Sequence, residues 1–243
     1  MQRYDQHMTM LVTMWPSPQV MSMFAGESEP IAKKQTFDES NADKVILDLC
    51  GGSGSWGKPY ADAGYDVRLI TLPDHDVRTY EPPENVHGIL AAPPCTEFSI
   101  AKNHSIDRDF ESGMEIVEAC LKIIEKCNPK WWAIENPAGY LTKFLGKPKY
   151  SFQPWWFGDG WSKRTLLWGN FNHPIRKYYK FEDVPKINGL YTRPGRKVPS
   201  IAFMHKSHKR FIRAFDPFES DSDAAFRAIT SPAFARAFFE SNP

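Results

Sequence analysis

Hydrophobic positions along the chain fall into a few dense blocks separated by punctuation. Val45-Ile46-Leu47-Asp48-Leu49-Cys50 is a nearly continuous apolar run, followed at once by Gly51-Gly52-Ser53-Gly54-Ser55. Such a run predicts a strand covered on both faces rather than one half in water. A helix-compatible stretch continues through Ala63, Gly64 supplies a stop, and Asp66 to Leu72 reads as a second strand. Strand, glycine turn, helix and strand make a βαβ unit of a doubly wound sheet, whose ligands bind at the carboxyl ends of the strands. Glycines at the first turn let the backbone approach a ligand closely and aim N–H groups at it. The Lys-Ser/Thr that grips phosphate in a P-loop is missing there, which argues against an NTPase.

The pattern continues downstream. Asp76-Val77-Arg78 lies in a turn region, and Val86 to Ala92 predicts a strand that delivers Pro93-Pro94-Cys95 at its carboxyl end. Each proline fixes its own φ and restricts the residue before it, so Cys95 is held on a stiff, extended segment. A nucleophile that must meet one carbon atom needs that rigidity; a cysteine packed at a strand end is the plainer alternative. Phe110 to Lys126 carries Ile116, Val117, Ala119, Cys120, Ile123 and Ile124 on one helical face, with Cys120 and Cys127 read as core or helix-end residues. Lys130 to Ile134 is a further strand, ending in Glu135-Asn136-Pro137. That places a carboxylate and an amide on the ligand edge, with helix capping as the alternative. Before the first strand, Met8, Leu11, Val12 and Trp15 stand at helical spacing, which predicts a short helix in an N-terminal arm followed by a polar loop from Gly26 to Ser40.

Length and charge narrow the class. The chain of 243 residues suffices for one substantial core with an appended lobe, and no internal repeat is present. Cys50, Cys95, Cys120 and Cys127 show no metal-ligand spacing and no need for disulfides, which predicts a reducing, cytoplasmic setting and no metal. The early apolar run Met8 to Trp15 is too short and too mixed for a membrane span or secretory leader. Overall charge is nearly balanced, at 30 Lys and Arg against 29 Asp and Glu, but it is unevenly distributed. From Arg176 to Arg213 there are 11 basic residues against Glu182 and Asp183 only, interleaved with Tyr178, Tyr179, Tyr191 and Phe203. A neutral chain with one strongly basic segment carries an electrostatic footprint for nucleic acid; a merely solvated basic face is the alternative.

Taken in order, three motifs resemble those of the cytosine-5 DNA methyltransferases. Asp48-Leu49-Cys50-Gly51-Gly52-Ser53-Gly54 resembles the cofactor loop of that family, with Cys50 in place of the usual phenylalanine. Pro93-Pro94-Cys95-Thr96-Glu97-Phe98-Ser99 resembles its Pro-Cys nucleophile loop, with Thr96 in place of glutamine. Glu135-Asn136-Pro137 resembles its Glu-Asn-Val motif. Phe157-Gly158, Trp161-Ser162-Lys163-Arg164-Thr165 and Leu166-Leu167-Trp168 resemble a degenerate Gln-x-Arg-x-Arg strand, and Arg227 to Phe239 the helix after the target-recognition region, with Ala233 where glutamate is usual. The likeness runs from about residue 44 to the C-terminus and is greatest to the compact versions encoded by bacteriophages. No acidic residue stands at the end of the second strand, and the terminal Gly-Asn motif that closes the methionine side of the family's cofactor pocket has no clear counterpart. The N-terminal arm is the candidate to fill that gap.

The resemblance implies a Rossmann-like α/β, S-adenosylmethionine-dependent methyltransferase sheet with a small basic target-recognition lobe. Its divisions are residues 1–40 (arm), 41–170 (catalytic, cofactor-binding), 171–222 (lobe) and 223–243 (a helix returning to the catalytic domain). By residue, the implied catalytic set is Cys95, Glu135, Arg164 and Asn136. Asp48, Leu49, Cys50, Gly51, Gly52, Ser53, Gly54, Asp76, Val77 and Pro93 are expected to hold the cofactor. Thr96, Ser99, Lys102, Lys163, Arg193, Arg196, Lys197, Lys206, Lys209 and Arg210 are expected to meet nucleic acid. The expected activity is methyl transfer to carbon 5 of cytosine in double-stranded DNA by a monomer in the cytoplasm (the host's, for a virus), in a DNA-modification or restriction–modification setting. The same chemistry on RNA or a free cytosine nucleotide, and a non-catalytic nucleic-acid-binding relative, are the alternatives. The basic segment disfavours the nucleotide.

Overall fold

The computed structural model describes residues 38–100, 107–187, 189–190, 192–201 and 228–243. The helix expected around Met8 to Trp15 lies outside them, as do Lys102, Lys206, Lys209 and Arg210. Six strands form one sheet: β1 Val45–Leu49, β2 Asp66–Ile70, β3 Val86–Ala91, β4 Trp131–Pro137, β5 Tyr150–Phe152 and β6 Thr165–Asn170. Their order is β2-β1-β3-β4-β6-β5. The pairs β1/β2, β1/β3 and β3/β4 are parallel, and β6 runs antiparallel to both its neighbours. This is the Rossmann-like α/β architecture expected from the alternation of apolar blocks and glycine turns.

Helices α1 (Lys58–Asp62), α2 (Phe110–Cys127), α3 (Thr142–Leu145) and α4 (Pro232–Ser241), with short 3-10 turns at Glu39–Asn41, Pro154–Trp156 and Phe181–Asp183, complete the described elements. Every residue of β1 is buried, as its unbroken apolar run requires. Alternate residues then serve opposite faces. Ile46 joins Trp56, Tyr60, Phe234 and Phe238, whereas Val45, Leu47 and Leu49 join Ala119, Cys120, Ile123 and Ile124 of α2. One face is thus roofed by α1 and α4, the other by α2. The α2 helix begins where the Asp109 carboxylate accepts from Ser112 N and ends at Asn128, whose φ of 43° is the left-handed cap that asparagine tolerates.

Two boundaries differ from the sequence reading in ways that matter. The fourth strand does not stop before Glu135-Asn136-Pro137 but carries the motif within it, because β6 pairs with it in the register Glu135↔Leu167, Asn136↔Leu166 and Pro137↔Thr165. Strand pairing over those residues excludes the helix-capping alternative. The helix after the glycine turn has only five residues, because turns occupy the chain between the glycines and Lys58.

Candidate active site

The carboxyl ends of β1, β3 and β4 lie side by side. Register pairs Leu49 with Ala91 and Ala91 with Ile134, and Ala92 N donates to Leu49 O at 2.9 Å. The glycine turn, the Pro-Pro-Cys segment and the Glu-Asn pair therefore converge on one edge, although they are far apart in the chain.

At the first of these, Asp48 is completely buried, and its Oδ2 accepts from Gly57 N at 3.2 Å while Oδ1 has no partner. Burial pushes its carboxyl up to about 7. Only glycine fits at position 51, where a Cβ would stand 2.4 Å from Asp48 Oδ1 and 2.6 Å from Leu69 Cδ1. Cys50 has a φ of 55° and a thiol hydrogen-bonded to that of Cys120, which lowers its pKa. Beyond it, Gly52 has a φ of 54° and faces open space. An orphaned buried carboxylate oxygen beneath a cradle that admits no side chain suits a polar ligand on the turn. The C-terminal segment covers the same region. Ser55 Oγ donates to Thr230 O at 2.6 Å, and Tyr60 OH donates to Asn242 O at 2.8 Å. Asp159, buried and pushed up to about 7, accepts from Ser231 Oγ and Ala233 N at the start of α4. The N-terminal arm, expected to close the cofactor pocket, lies outside the described residues. Asp76 and Val77 lie on the β2–β3 connection, where the Asp76 carboxylate bonds Arg78, which holds it down at about 2, and Val77 is buried in the core on the α2 side.

Cys95 is half-buried, outside any disulfide, and opens a tight turn whose Phe98 and Ser99 N–H groups donate to Cys95 O at 3.0 and 2.8 Å. Thr96 is exposed on that turn. Phe98 is fully buried and anchors it. Tyr140 N donates to Phe98 O at 2.7 Å, Ser99 bridges to Gly139, and Arg108 donates to Glu97 O at 2.6 Å and Ser99 O at 3.0 Å. Gly139 is obligatory, since a Cβ there would sit 2.1 Å from Phe98 O. No periodicity marks Arg108 or Gly139 as partners of this turn, so the sequence gives no notice of them.

On β4, Asn136 is fully buried and its Nδ2 donates to Pro93 O at 2.9 Å, tying the Glu-Asn strand to the Pro-Pro-Cys segment. Glu135 is buried with Lys163 Nζ 3.7 Å from its Oε1. Burial raises its carboxyl, and Lys163 pulls the other way. Two expected positions therefore exchange surroundings. Lys163, read as a nucleic-acid contact, faces Glu135 with 15% of its side chain exposed, whereas Arg164, read as catalytic, is solvent-exposed. Both residues precede β6, where Arg164 O accepts from Ala138 N at 2.9 Å while the Arg164 side chain stays in solvent. Arg193, Arg196 and Lys197 are exposed on a turn closed by Arg196 N donating to Arg193 O at 3.0 Å, with Gly195 at a φ of 79°.

Fold and site define a Rossmann-like α/β protein with chemistry-bearing residues gathered at the carboxyl edge of its sheet. Residues 61–149, a little over a third of the chain, match the family model for C-5 cytosine-specific DNA methylases, a stretch that takes in Cys95 and Glu135. The chain is also similar to the crystal structure of an E. coli prophage-encoded protein assigned as a DNA modification methyltransferase. Identity is 15% and the TM-score 0.43, over 63% of this chain and 56% of that one, so the chain spans a little over half the length of that protein. No curated protein matches the chain. Among the described residues no His, Cys, Asp or Glu cluster is placed to hold a metal ion, and no helix is long and apolar enough to cross a membrane.

Proposed function

We propose that the protein transfers a methyl group from S-adenosylmethionine to carbon 5 of cytosine in DNA, through a transient bond between Cys95 and the base. The observation that carries this reading is the Asn136 Nδ2 to Pro93 O bond of 2.9 Å, which ties the Pro-Pro-Cys segment to the strand that carries buried Glu135. A rigid thiol on the same sheet edge as a carboxyl of raised pKa is what addition to a pyrimidine ring requires.

Carbon 5 of cytosine is a poor nucleophile. Addition of the Cys95 thiolate to carbon 6 forms an S–C bond and moves the ring's double-bond electrons toward carbon 5. The cofactor, when bound, supplies the electrophilic methyl group that carbon 5 takes. Loss of the carbon 5 proton to water and breaking of the carbon 6–sulfur bond, with Cys95 leaving as the thiolate, then restore the aromatic ring. Burial favours a protonated Glu135, which donates a hydrogen bond to nitrogen 3 as negative charge develops. Of the two cations after Ser162, Lys163 is assigned the offsetting charge, because it faces Glu135. Asn136 is a positioning residue that holds the Cys95 segment. The base must leave the stack to reach these groups, as in methyltransferases generally. For the cofactor, the buried Asp48 carboxylate and the Cys50–Gly54 turn form the floor, and Thr230-Ser231 the C-terminal wall. Exposed Thr96, with Ser99, Arg193, Arg196 and Lys197, supplies contacts to the duplex.

The test is a covalent trap with the full chain, S-adenosylmethionine and duplex DNA carrying 5-fluorocytosine in mixed sequence. A denaturant-stable adduct mapped to Cys95 is expected, lost in Cys95→Ala while cofactor binding survives. An adduct with RNA alone would replace the substrate, and turnover by Cys95→Ala would overturn the mechanism.

A further inference from the structure

The chain has a second feature suited to nucleic acid, beside edge strand β5, two strands along the sheet from β4. Arg176 lies with its guanidinium 4.1 Å from the ring centre of Trp156, 4.7 Å from that of Tyr179 and 5.2 Å from that of Trp155. Its Nε donates to Tyr178 O at 2.6 Å and its Nη2 to Tyr179 O at 3.1 Å. Lys177 N and Tyr178 N both donate to Trp156 O, at 2.9 and 2.8 Å. The segment is thereby clipped to the turn after β5, at the outer end of the sheet. Such order normally accompanies burial, yet Tyr179 remains 74% exposed and Ile175 81% exposed. Arg176 pins the Tyr179 ring, so a flat surface is presented in a fixed orientation. A pre-ordered ring loses little side-chain entropy when a planar ligand stacks on it.

Charge identifies the partner. Between Leu141 and Phe181 the chain carries eight Lys or Arg and a single carboxylate, Asp159, which is buried against Ser231. Lys177 and Lys180 flank the tyrosine pair and are exposed. An exposed, immobilised aromatic between lysines, with the one acid from Leu141 to Phe181 turned inward and exposed Glu182 and Asp183 only beyond Lys180, matches the combination that binds single strands: a ring for a base and cations for the phosphates.

We infer that Tyr179, with Lys177, Lys180 and Ile175, forms a contact for a single-stranded segment of DNA, separate from the pocket for the target base. It takes its ligand class from the function proposed above, but its site and its test are independent of Cys95.

The experiment is fluorescence anisotropy of a labelled oligothymidylate with the full chain, Tyr179→Ala, Tyr179→Trp and the Lys177→Glu/Lys180→Glu pair, alongside the Cys95 trap on a short duplex. Loss of one stacked base predicts about tenfold weaker single-strand binding by Tyr179→Ala, with Tyr179→Trp close to the parent. The double charge reversal is expected to weaken binding and flatten its salt dependence. The Cys95 adduct should form equally in all variants. Equal affinity of Tyr179→Ala and the parent, or no binding of the oligothymidylate by the parent, overturns the inference and leaves the methyltransferase reading standing. Tyr179-dependent binding without any Cys95 adduct keeps this contact and removes the proposed activity.

Discussion

At the scale of single residues, the site depends on which of two neighbours faces inward. Lys163 and Arg164 are both basic, and composition does not separate them. In the structure Lys163 stands by Glu135 and Arg164 stands in solvent, where its charge is screened. Lys163→Met is expected to lower kcat about 10²-fold, within the range for losing one group that stabilises developing charge, while Arg164→Met changes DNA affinity and little else. Removing Lys163 also removes the pull that opposes burial at Glu135, so the Glu135 pKa rises further and the alkaline limb of the rate profile moves to higher pH. Single-turnover rates across pH check both effects, and an Arg164→Met enzyme slower than Lys163→Met would reverse the assignment.

Asp159 makes a second prediction at this scale. Its folded pKa of about 7 exceeds the ordinary 3.8, so the folded state binds the proton more tightly than the unfolded chain does. Its contribution is therefore fully present below pH 3.8 and is lost as pH rises toward 7. At about 1.36 kcal/mol per unit, the loss is at most about 4 kcal/mol. Asp159→Asn, which can still accept from Ser231 and Ala233, should show a flatter stability–pH curve between these limits in urea melts. An unchanged slope would mean that the carboxyl is ionised throughout.

At the scale of elements, two glycines separate the two halves of the site. Gly51→Ala drives a Cβ into Asp48 and Leu69, and Gly139→Ala drives one into the Phe98 carbonyl. Each is expected to cost about 1–3 kcal/mol of stability as overpacking. Their functional signatures differ. The first should weaken S-adenosylmethionine binding at least tenfold by calorimetry. The second should leave cofactor binding intact and slow adduct formation, because it detaches the turn that begins at Cys95. The same loss of cofactor binding in both variants would mean that the two turns are not separate units.

Strands β1 to β3 and α2 were legible because β1 and β3 are unbroken buried runs and α2 keeps a helical period, whereas the three-residue β5 has too little pattern to show. The extent of β4 was not, because a Glu-Asn-Pro run is polar and proline-ended, and only pairing with β6 makes it a strand. The α4 helix was expected to return to the catalytic domain, but its partners there were not legible. Nothing local to Thr230 points to Ser55, 175 residues away.

At the scale of the whole molecule, charge asymmetry makes the claim about the partner. Arg196 and Lys197 project from an exposed turn at the basic end of the chain. Reversing both to Glu is expected to weaken duplex binding and to lower the slope of log K against log salt by about 0.9 for each phosphate the protein no longer neutralises. Affinity unchanged by the reversal at low salt would place the duplex elsewhere on the surface.

Alone, the sequence determined the period of each buried element, the glycine turn after the first strand, and three motifs whose residue types suit one chemistry. These are local properties, set by sterics at each residue and by which side chains avoid water. Tertiary structure decided which side chains share the site. It carried Glu135 and Asn136 inside a strand, set Lys163 rather than Arg164 beside the carboxyl, and brought Thr230 to the glycine turn. The physical reason is that strand pairing and helix docking join residues whose separation along the chain carries no signal.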